Sequence, residues 1–244
     1  MRSLCSLPAV FRLVPLAIAV AVSSASAQEI FITPIPNAPF SGVVKVEHSR
    51  VEPDGSVFDS KTIRDIGRDS HGRIHNERRA IVPSSYAKEP PLVRIHLYDP
   101  QTRVSTWIDP KERTFWTHTV NHPPSTLPPA VRFASPTGDG LPQNEFTKEE
   151  DLGIHDMEGL AVRGVREIQT VPADNKGTGK EIAITDEYWY SEDLRIYVMV
   201  KHSDPREGTT TMTLTQITRA EPDPALFEIP HDYKQAQGVQ ETEP

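Results

Sequence analysis

Two corners with the same chemistry stand ten residues apart in this chain, Asp99-Pro100-Gln101-Thr102-Arg103 and Asp109-Pro110-Lys111-Glu112-Arg113. Each reads D-P-x-x-R, with Asp at the first turn position and Pro at the second, as a type I turn favours. That spacing leaves room for one short strand between corners, so "LVRIHLY", "RVSTWI" and "RTFWTHTV" read as a meander of antiparallel strands. The layout returns later. "WIDPKERTF", from Trp107 to Phe115, and "WYSEDLRIY", from Trp189 to Tyr197, share Trp, turn-like residues, Arg and an aromatic at matching steps. Two catalytic half-sites could write such a pattern, and so could two β-hairpins with one corner chemistry. The surrounding strands favour the hairpins.

Period-2 alternation runs through most of the chain. "VVKVEHSRV" sets Val44, Val46 and His48 against Lys45, Glu47 and Ser49, and "EPDG" turns it into "SVFDSKTIRDIGR". "RIHNERRAIV" follows the "DSHG" turn. After residue 144 come "TKEEDLGIHD", "GLAVRGVREIQTV", "KEIAITDEYWY", "LRIYVMVKHS" and "TTTMTLTQITRA", with Asp204-Pro205 at the last corner. No amphipathic helix is convincing. The expected fold is all-β, an antiparallel curved sheet or half-open β-barrel of about eleven strands, because hairpin connectivity buries one face best by curving.

The N-terminal residues "MRSLCSLPAVFRLVPLAIAVAVSSASAQ" combine Arg2 and Arg12, an apolar run from Leu13 to Val22 and a small-residue Ala25-Ser26-Ala27 site. This is the pattern of a secretory signal peptide over 1–27, cleaved near Ala27. The apolar run is too short to span a bilayer, so a soluble periplasmic or extracellular protein is expected. Cys5, the single cysteine, would leave with the signal, which removes disulfides, thiolate metal sites and cysteine nucleophiles from the mature chain. With 34 acidic against 26 basic residues, and both Arg2 and Arg12 in the signal, the body is a poor partner for nucleic acid. The remaining layout is a Pro-rich extended lead-in over 28–41, a β-rich domain over 42–233 with a Pro-rich loop at 121–144, and a disordered tail over 234–244.

Alternation sorts side chains into two groups. Val93, Ile95, Leu97, Val104 and Ile108, with Ile182, Ile184, Leu194, Ile196, Val198, Val200, Met212 and Leu214 joining them, make an aliphatic face. Arg94, His96, Tyr98, Trp107, Trp116, His118, Arg195, Tyr197, Met199 and Lys201 make an aromatic and basic one. The aliphatic face is either an ordinary core or the lining of a cavity for a lipid-like ligand. On the cavity reading the ligand-binding residues are Val93, Ile95, Leu97, Ile182, Ile184, Leu194, Ile196 and Val198. The other face either shields the sheet by cross-strand pairs or, through Arg94, Tyr98, Trp107, Trp116, Arg195 and Tyr197, meets a partner.

Catalytic constellations are weak. His71-x-x-x-His75 straddles a turn and His118-x-x-x-His122 leaves a strand, so neither pair has the helical placement that joins imidazoles four apart. Ser70 and Ser203 neighbour acidic residues in turns, where turn propensity alone puts them. Glu149-Glu150-Asp151 reads as a solvated edge, and "GTGK" at Gly177 to Lys180 lacks the spacing of a phosphate loop. No catalytic residue, metal or cofactor is expected.

"DLGIHDMEGLAVRGVREIQTVP", the stretch from "DEYWYSEDLRIYVMVKHSDPREG" to "PDPALFEIPHDYK", and "RDSHGRIHNERR" together resemble a group of exported proteins familiar from Acidobacteria, over most of residues 42 to 233. More distantly, the many-stranded sheet behind a signal peptide, with a Trp strand before a "DP" corner, resembles the outer-membrane lipoprotein-carrier (LolA-like) superfamily. That resemblance implies a half-open β-barrel around an apolar cavity for acyl chains, without catalytic residues. The carrier's N-terminal helix has no counterpart in the Pro-rich residues 28–41. Three functions follow as expectations: a non-enzymatic carrier of a hydrophobic or lipidated ligand, an envelope-stress or signalling protein that binds another envelope protein, and, last, a metal-assisted hydrolase.

Overall fold

The computed structural model describes residues 30, 32–121, 146–173 and 179–236. The expected signal peptide, the Pro-rich loop beyond residue 121 and the end of the tail lie outside them. The strands are β1 (Phe40–Val51), β2 (Val57–Arg68), β3 (Ile74–Arg79), β4 (Val82–Pro83), β5 (Leu92–Asp99), β6 (Val104–Asp109) and β7 (Thr114–Thr119). After the undescribed stretch come β8 (Thr147–Met157), β9 (Leu160–Val171), β10 (Ile182–Ser191), β11 (Ile196–Asp204), β12 (Gly208–Thr218) and β13 (Lys234–Gln235).

All thirteen belong to one sheet, ordered β13-β7-β6-β5-β3-β2-β1-β12-β11-β10-β9-β8, with β4 set against β2. The fold is all-β and the sheet is open, curved as a half-open barrel. Every ladder is antiparallel except β13 on β7, where Lys234–Gln235, at the start of the expected tail, runs parallel to Thr114 and Phe115. The two meanders meet at β1 and β12, whose long ladder runs from Ser41↔Thr218 to Ser49↔Thr209.

The corners work as hairpin closures. Asp99 Oδ1 accepts the Gln101 N–H at 2.8 Å, and Asp109 Oδ1 accepts those of Lys111 and Glu112 at 3.0 Å. The Arg that ends each motif takes a left-handed backbone, φ 58° at Arg103 and 55° at Arg113, and Arg195 does the same at φ 50°. A type I turn followed by one left-handed residue returns the chain antiparallel with the twist its strands need. The repeated Trp-to-aromatic pattern is therefore a repeated corner.

Register fixes which residues share a face. From Val44 the ladders lead outward through Leu214 on β12 and Arg64 on β2, and Val46 opposes Met212, which opposes Val200 on β11. On β2, Ile66 stands two residues from Arg64 and continues through Asn76, His96, Trp107 and Trp116. So Met212, Leu214 and Val200 share the face of Val44 with His96, Trp107 and Trp116. Val93, Ile95, Leu97 and Ile108 lie on the opposite, Ile95 face. The expected grouping of all aliphatic strand residues on one face does not hold across the β1–β12 junction. Parity within each meander was legible, but the phase between meanders depends on a non-local ladder.

The core cluster gathers Phe40, Val44, Ile66, Ile74, Tyr98, Tyr188, Ile196, Val198, Val200, Met212 and Leu214, all 8% exposed or less, with Ile30 and Ile32 from the lead-in. At the far end the β8–β9 hairpin curls back, Glu158 accepting the Gln216 N–H of β12 at 3.0 Å. The C-terminal segment crosses the Ile95 face. Asp223 caps the 3-10 turn Pro224–Phe227, and His75 Nδ1 donates to the Leu226 carbonyl at 2.7 Å.

Candidate functional site

Below Ile66 the β2–β3 ladder ends, and β4 takes over opposite Ser60 and Lys61. The splay opens a groove of about 600 Å³ on the Val44 face, lined by Val46, His48, Phe58, Ser60, Lys61, Thr62, Arg64, Arg78, Arg79, Ile81, Thr210 and Met212. Alternation explains most of the β1 and β2 lining, since Val46 and His48 on β1 and Phe58, Ser60, Thr62 and Arg64 on β2 all point to one side. His48 Nδ1 lies 3.0 Å from Thr210 Oγ1, tying the groove wall across the β1–β12 ladder. Phe58, 50% exposed, and Ile81, 74% exposed, leave apolar surface at the groove. Its volume is in the range of small-molecule sites.

Next to the groove runs an arginine and tryptophan row. Trp107 and Trp116 stack at 6.5 Å with a 16° interplanar angle, and His96 stacks on Trp107 at 4.2 Å. The Arg94 guanidinium sits 5.8 Å from the Trp107 ring and 5.0 Å from that of Trp116, and Arg78 sits 5.8 Å from Trp107. Burial, aided by the charges of Arg78 and His118, pushes His96 down to about 4, so its ring is neutral and pairs with the Ser105 hydroxyl at 2.8 Å. The Trp116 indole N–H, the Asn76 amide oxygen and the Tyr98 hydroxyl are buried with no hydrogen-bond partner among the described residues. Burial raises the Tyr98 phenol above its ordinary range.

The neighbouring part of the same face is closed. Tyr188, Tyr190 and Tyr197 cluster with ring centroids 5.3 to 5.7 Å apart, and burial lifts Tyr190 to about 12 and Tyr197 further. Arg68, fully buried, donates to Thr33 at 2.8 Å, to Ala38 at 2.9 and 2.7 Å and to Leu194 at 2.7 Å, in each case to a carbonyl oxygen. It binds the lead-in and the β10–β11 corner to the sheet. Burial lowers its guanidinium to about 10.

The expected site residues therefore separate. Leu194, Ile196 and Val198 are at most 2% exposed within the core cluster, and Ile182 and Ile184 are half-buried near the start of β10. Leu97 lines a smaller cavity of about 400 Å³ with Phe227 and Ile229, on the side facing away from the groove. Val93 is half-exposed and Ile95 partly buried on that same side. Of the expected partner residues, Arg94, Trp107 and Trp116 come together, Tyr98 lies in the next row, and Arg195 and Tyr197 belong to the tyrosine region. Sequence reasoning missed Phe58, Thr62, Arg64, Arg78 and Ile81. Their shared side of β2 was visible in the alternation, but the splay beside them was not.

The polar turns are structural. Asp69, His71 and Glu221 bring one ligand atom each within 4.8 Å of one another. Asp69 is already engaged, Oδ1 by the His71 and Arg73 N–H groups and Oδ2 by the Arg73 guanidinium at 2.6 Å. His75 points away to Leu226. Ser70 donates to Glu221 at 3.1 Å, and Ser203 shares a bond with Thr209 at 3.0 Å. Along the β8 edge Glu150 pairs with Lys148 and Arg166, while Asp151 accepts the Gly153 N–H and pairs with Arg163, which holds both carboxyls below their ordinary range. Arg79, which also lines the groove, pairs with Asp65, Glu77 and Glu89. No described helix is long and apolar enough to cross a membrane.

No protein-family model matches the chain, and no curated protein matches it. Solved structures do. The chain is similar to MucB at a TM-score of 0.38 and 10% identity over 82% of its length, and it spans 60% of that structure. It is similar to the lipoprotein LppX of Mycobacterium tuberculosis at 0.31 and 13% identity, covering 76% of this chain and 90% of that one. A putative outer membrane lipoprotein-sorting protein domain from Vibrio parahaemolyticus matches at 0.18 and 11% identity, covering 78% and 89%.

Proposed function

We propose that this is an exported, non-enzymatic binding protein that holds a hydrophobic, chain-like ligand in the groove beside β4. The observation that carries the reading is the groove itself. Val46, Phe58, Ile81 and Met212 give it apolar walls, on the face of a half-open sheet, where the ladder between β2 and β3 has parted. Apolar surface left exposed beside a concavity marks a binding site more often than idle surface. The ligand residues move accordingly, from the aliphatic residues of β5, β10 and β11 to those of β1, β2 and β12.

Native mass spectrometry of the exported protein from an envelope extract, followed by lipid extraction, tests this directly. The expected result is a bound acyl species in the native protein that is lost in the double variant Phe58→Asp, Ile81→Asp, whose partly exposed positions let the fold persist. An apo mass, together with no uptake of a fluorescent fatty-acid analogue, would sink the carrier reading. It would favour an envelope protein as the partner, docking at Arg94, Trp107 and Trp116.

A further inference from the structure

The sheet is open, so it has two edges, and the chain treats them differently. On one side β8 carries Lys148, Glu149, Glu150 and Asp151 in succession, and a bulge between Asp151 and Gly153 breaks its register. Charge and bulges defend an edge strand, because both oppose pairing with another chain. On the other side β7 reads Thr-Phe-Trp-Thr-His-Thr, with no Lys, Asp, Glu or Pro, and its register on β6 is unbroken. Threonine and aromatic residues favour strands. The edge with the stronger tendency to pair is the undefended one.

Alternation sets which main-chain groups of β7 face outward. Val120 donates to the Arg103 carbonyl at 2.9 Å, so the even-numbered residues of β7 bond inward to β6, and Phe115, Thr117 and Thr119 turn their N–H and C=O groups to the edge. The bonds from β13 agree, since the Lys234 and Ala236 N–H groups reach the Arg113 and Phe115 carbonyls at 3.0 and 2.8 Å. But β13 pairs only with Thr114 and Phe115, and both its residues are exposed. Among the described residues nothing pairs with the outer side of Thr117 or Thr119, and Thr117, His118 and Thr119 are exposed. Donors and acceptors that repeat about every 6.8 Å along an edge match one class of partner, another extended polypeptide. The strand itself has no formal charge and the chain as a whole stands at −8, so a segment with lysines is favoured over an acidic one. The chain's own occupant of the edge brings Lys234.

We propose that the β7 edge is a docking site for an extended, lysine-bearing segment of another protein, which joins the sheet as a strand along Thr114–Thr119 and displaces β13. The incoming side chains alternate between Phe115 and Thr117 on the Ile95 face and Trp116 on the Val44 face. What they replace is slight: two main-chain bonds, the Arg113–Asp232 ion pair and the Arg113 guanidinium 5.9 Å from the Tyr233 ring. No residue of β7 lines the groove, so this site and the groove stand or fall separately.

Amide hydrogen exchange of the purified protein is the first test. Thr117 and Thr119 are expected to exchange about tenfold or more faster than Trp116 and His118, whose N–H groups bond to β6 in the same strand. Equal protection means that the edge is already paired and overturns the proposal. The probe is the end-capped peptide Lys-Thr-Val-Thr-Val-Thr-Lys, compared with one carrying Pro in place of the central Thr and one carrying Glu in place of both Lys. The lysine peptide is expected to slow exchange at Thr117 and Thr119, to shift tryptophan fluorescence, and to bind about tenfold or more tightly than the Pro peptide. It should also exceed the Glu peptide at low salt, by a margin that shrinks as salt rises. Thr117→Pro removes an outward N–H, leaves the ladder to β6, and should abolish binding. Lys234→Pro with Ala236→Pro removes both β13 donors and should strengthen it. Binding that survives Thr117→Pro, or that treats the lysine and Pro peptides alike, overturns the site. Preference for the Glu peptide overturns the lysine-bearing partner. A concentration-dependent dimer that protects Thr117 and Thr119 gives the edge to a second copy of the chain and overturns the proposal too. The exchange measurements on the unsubstituted protein decide the matter even if Thr117→Pro unfolds.

Discussion

The Val44 face carries two regions that treat burial in opposite ways. Around β10–β12, Val198 and Leu214 have no exposure and three tyrosines pack together beside them. From β2 to β7 the same face is lined with Arg64, Arg78, Arg94, Trp107 and Trp116, and it parts at the groove. The first region is packed as a core should be, and the second keeps charge and apolar surface where solvent or a ligand can reach them. Arg68 marks the boundary, a cation taken fully into the first region, its N–H groups donating to three carbonyl groups and its guanidinium 5.1 Å from the Phe40 ring. A single sheet can thus supply stability at one end and recognition at the other, because side chains interact mainly with near neighbours on their own face.

That contrast breaks hardest in the closed region. Leu214→Ala empties a site with no exposure and is expected to cost about 2–5 kcal/mol in urea unfolding. A loss under about 1 kcal/mol would mean that the tyrosine region is loosely packed after all. Arg68→Met comes next. Three carbonyl groups lose their donor while the desolvation cost of the cation disappears, so the net loss is expected to be about 2 kcal/mol. The effect should be local, with faster amide exchange over 32–39 and slower change elsewhere. Uniform loss of protection across the sheet would show that Arg68 does not pin the lead-in.

A third effect lies in the open region and depends on pH. His96 titrates near 4 in the fold and near 6.5 when unfolded, so the unfolded chain binds the extra proton between those values. Stability contributed by neutral His96 is therefore present above pH 6.5 and declines as the pH falls toward 4. Thermal unfolding across that range should show the slope in the native protein and a shallower one in His96→Gln. Identical slopes would remove His96 as the group responsible and weaken the evidence for a positive field beside Trp107.

Local features carried far in the sequence. The D-P-x-x-R corners at Asp99 and Asp109 named their hairpins, and alternation placed Arg94, His96, Trp107 and Trp116 on one side of β5 to β7. The groove was less legible. Phe58, Thr62 and Arg64 show the right parity, but their opening requires β3 to leave β2 after Ile66 and β4 to slip in beside Lys61. Short-range pattern has no term for such a departure. The turn-flanked tail likewise gave no sign of β13, which exists because Lys234 finds a free edge at Thr114.

By itself the sequence determined an all-β chain, the hairpin corners and which neighbours along each strand share a side, since these follow from turn chemistry and a period of two. Only the tertiary structure decided how the two meanders are phased. The ladder joining Val44 to Leu214 spans most of the chain, and a one-residue change in its register would exchange the faces of one half relative to the other. That single pairing is what places the arginines beside an apolar groove.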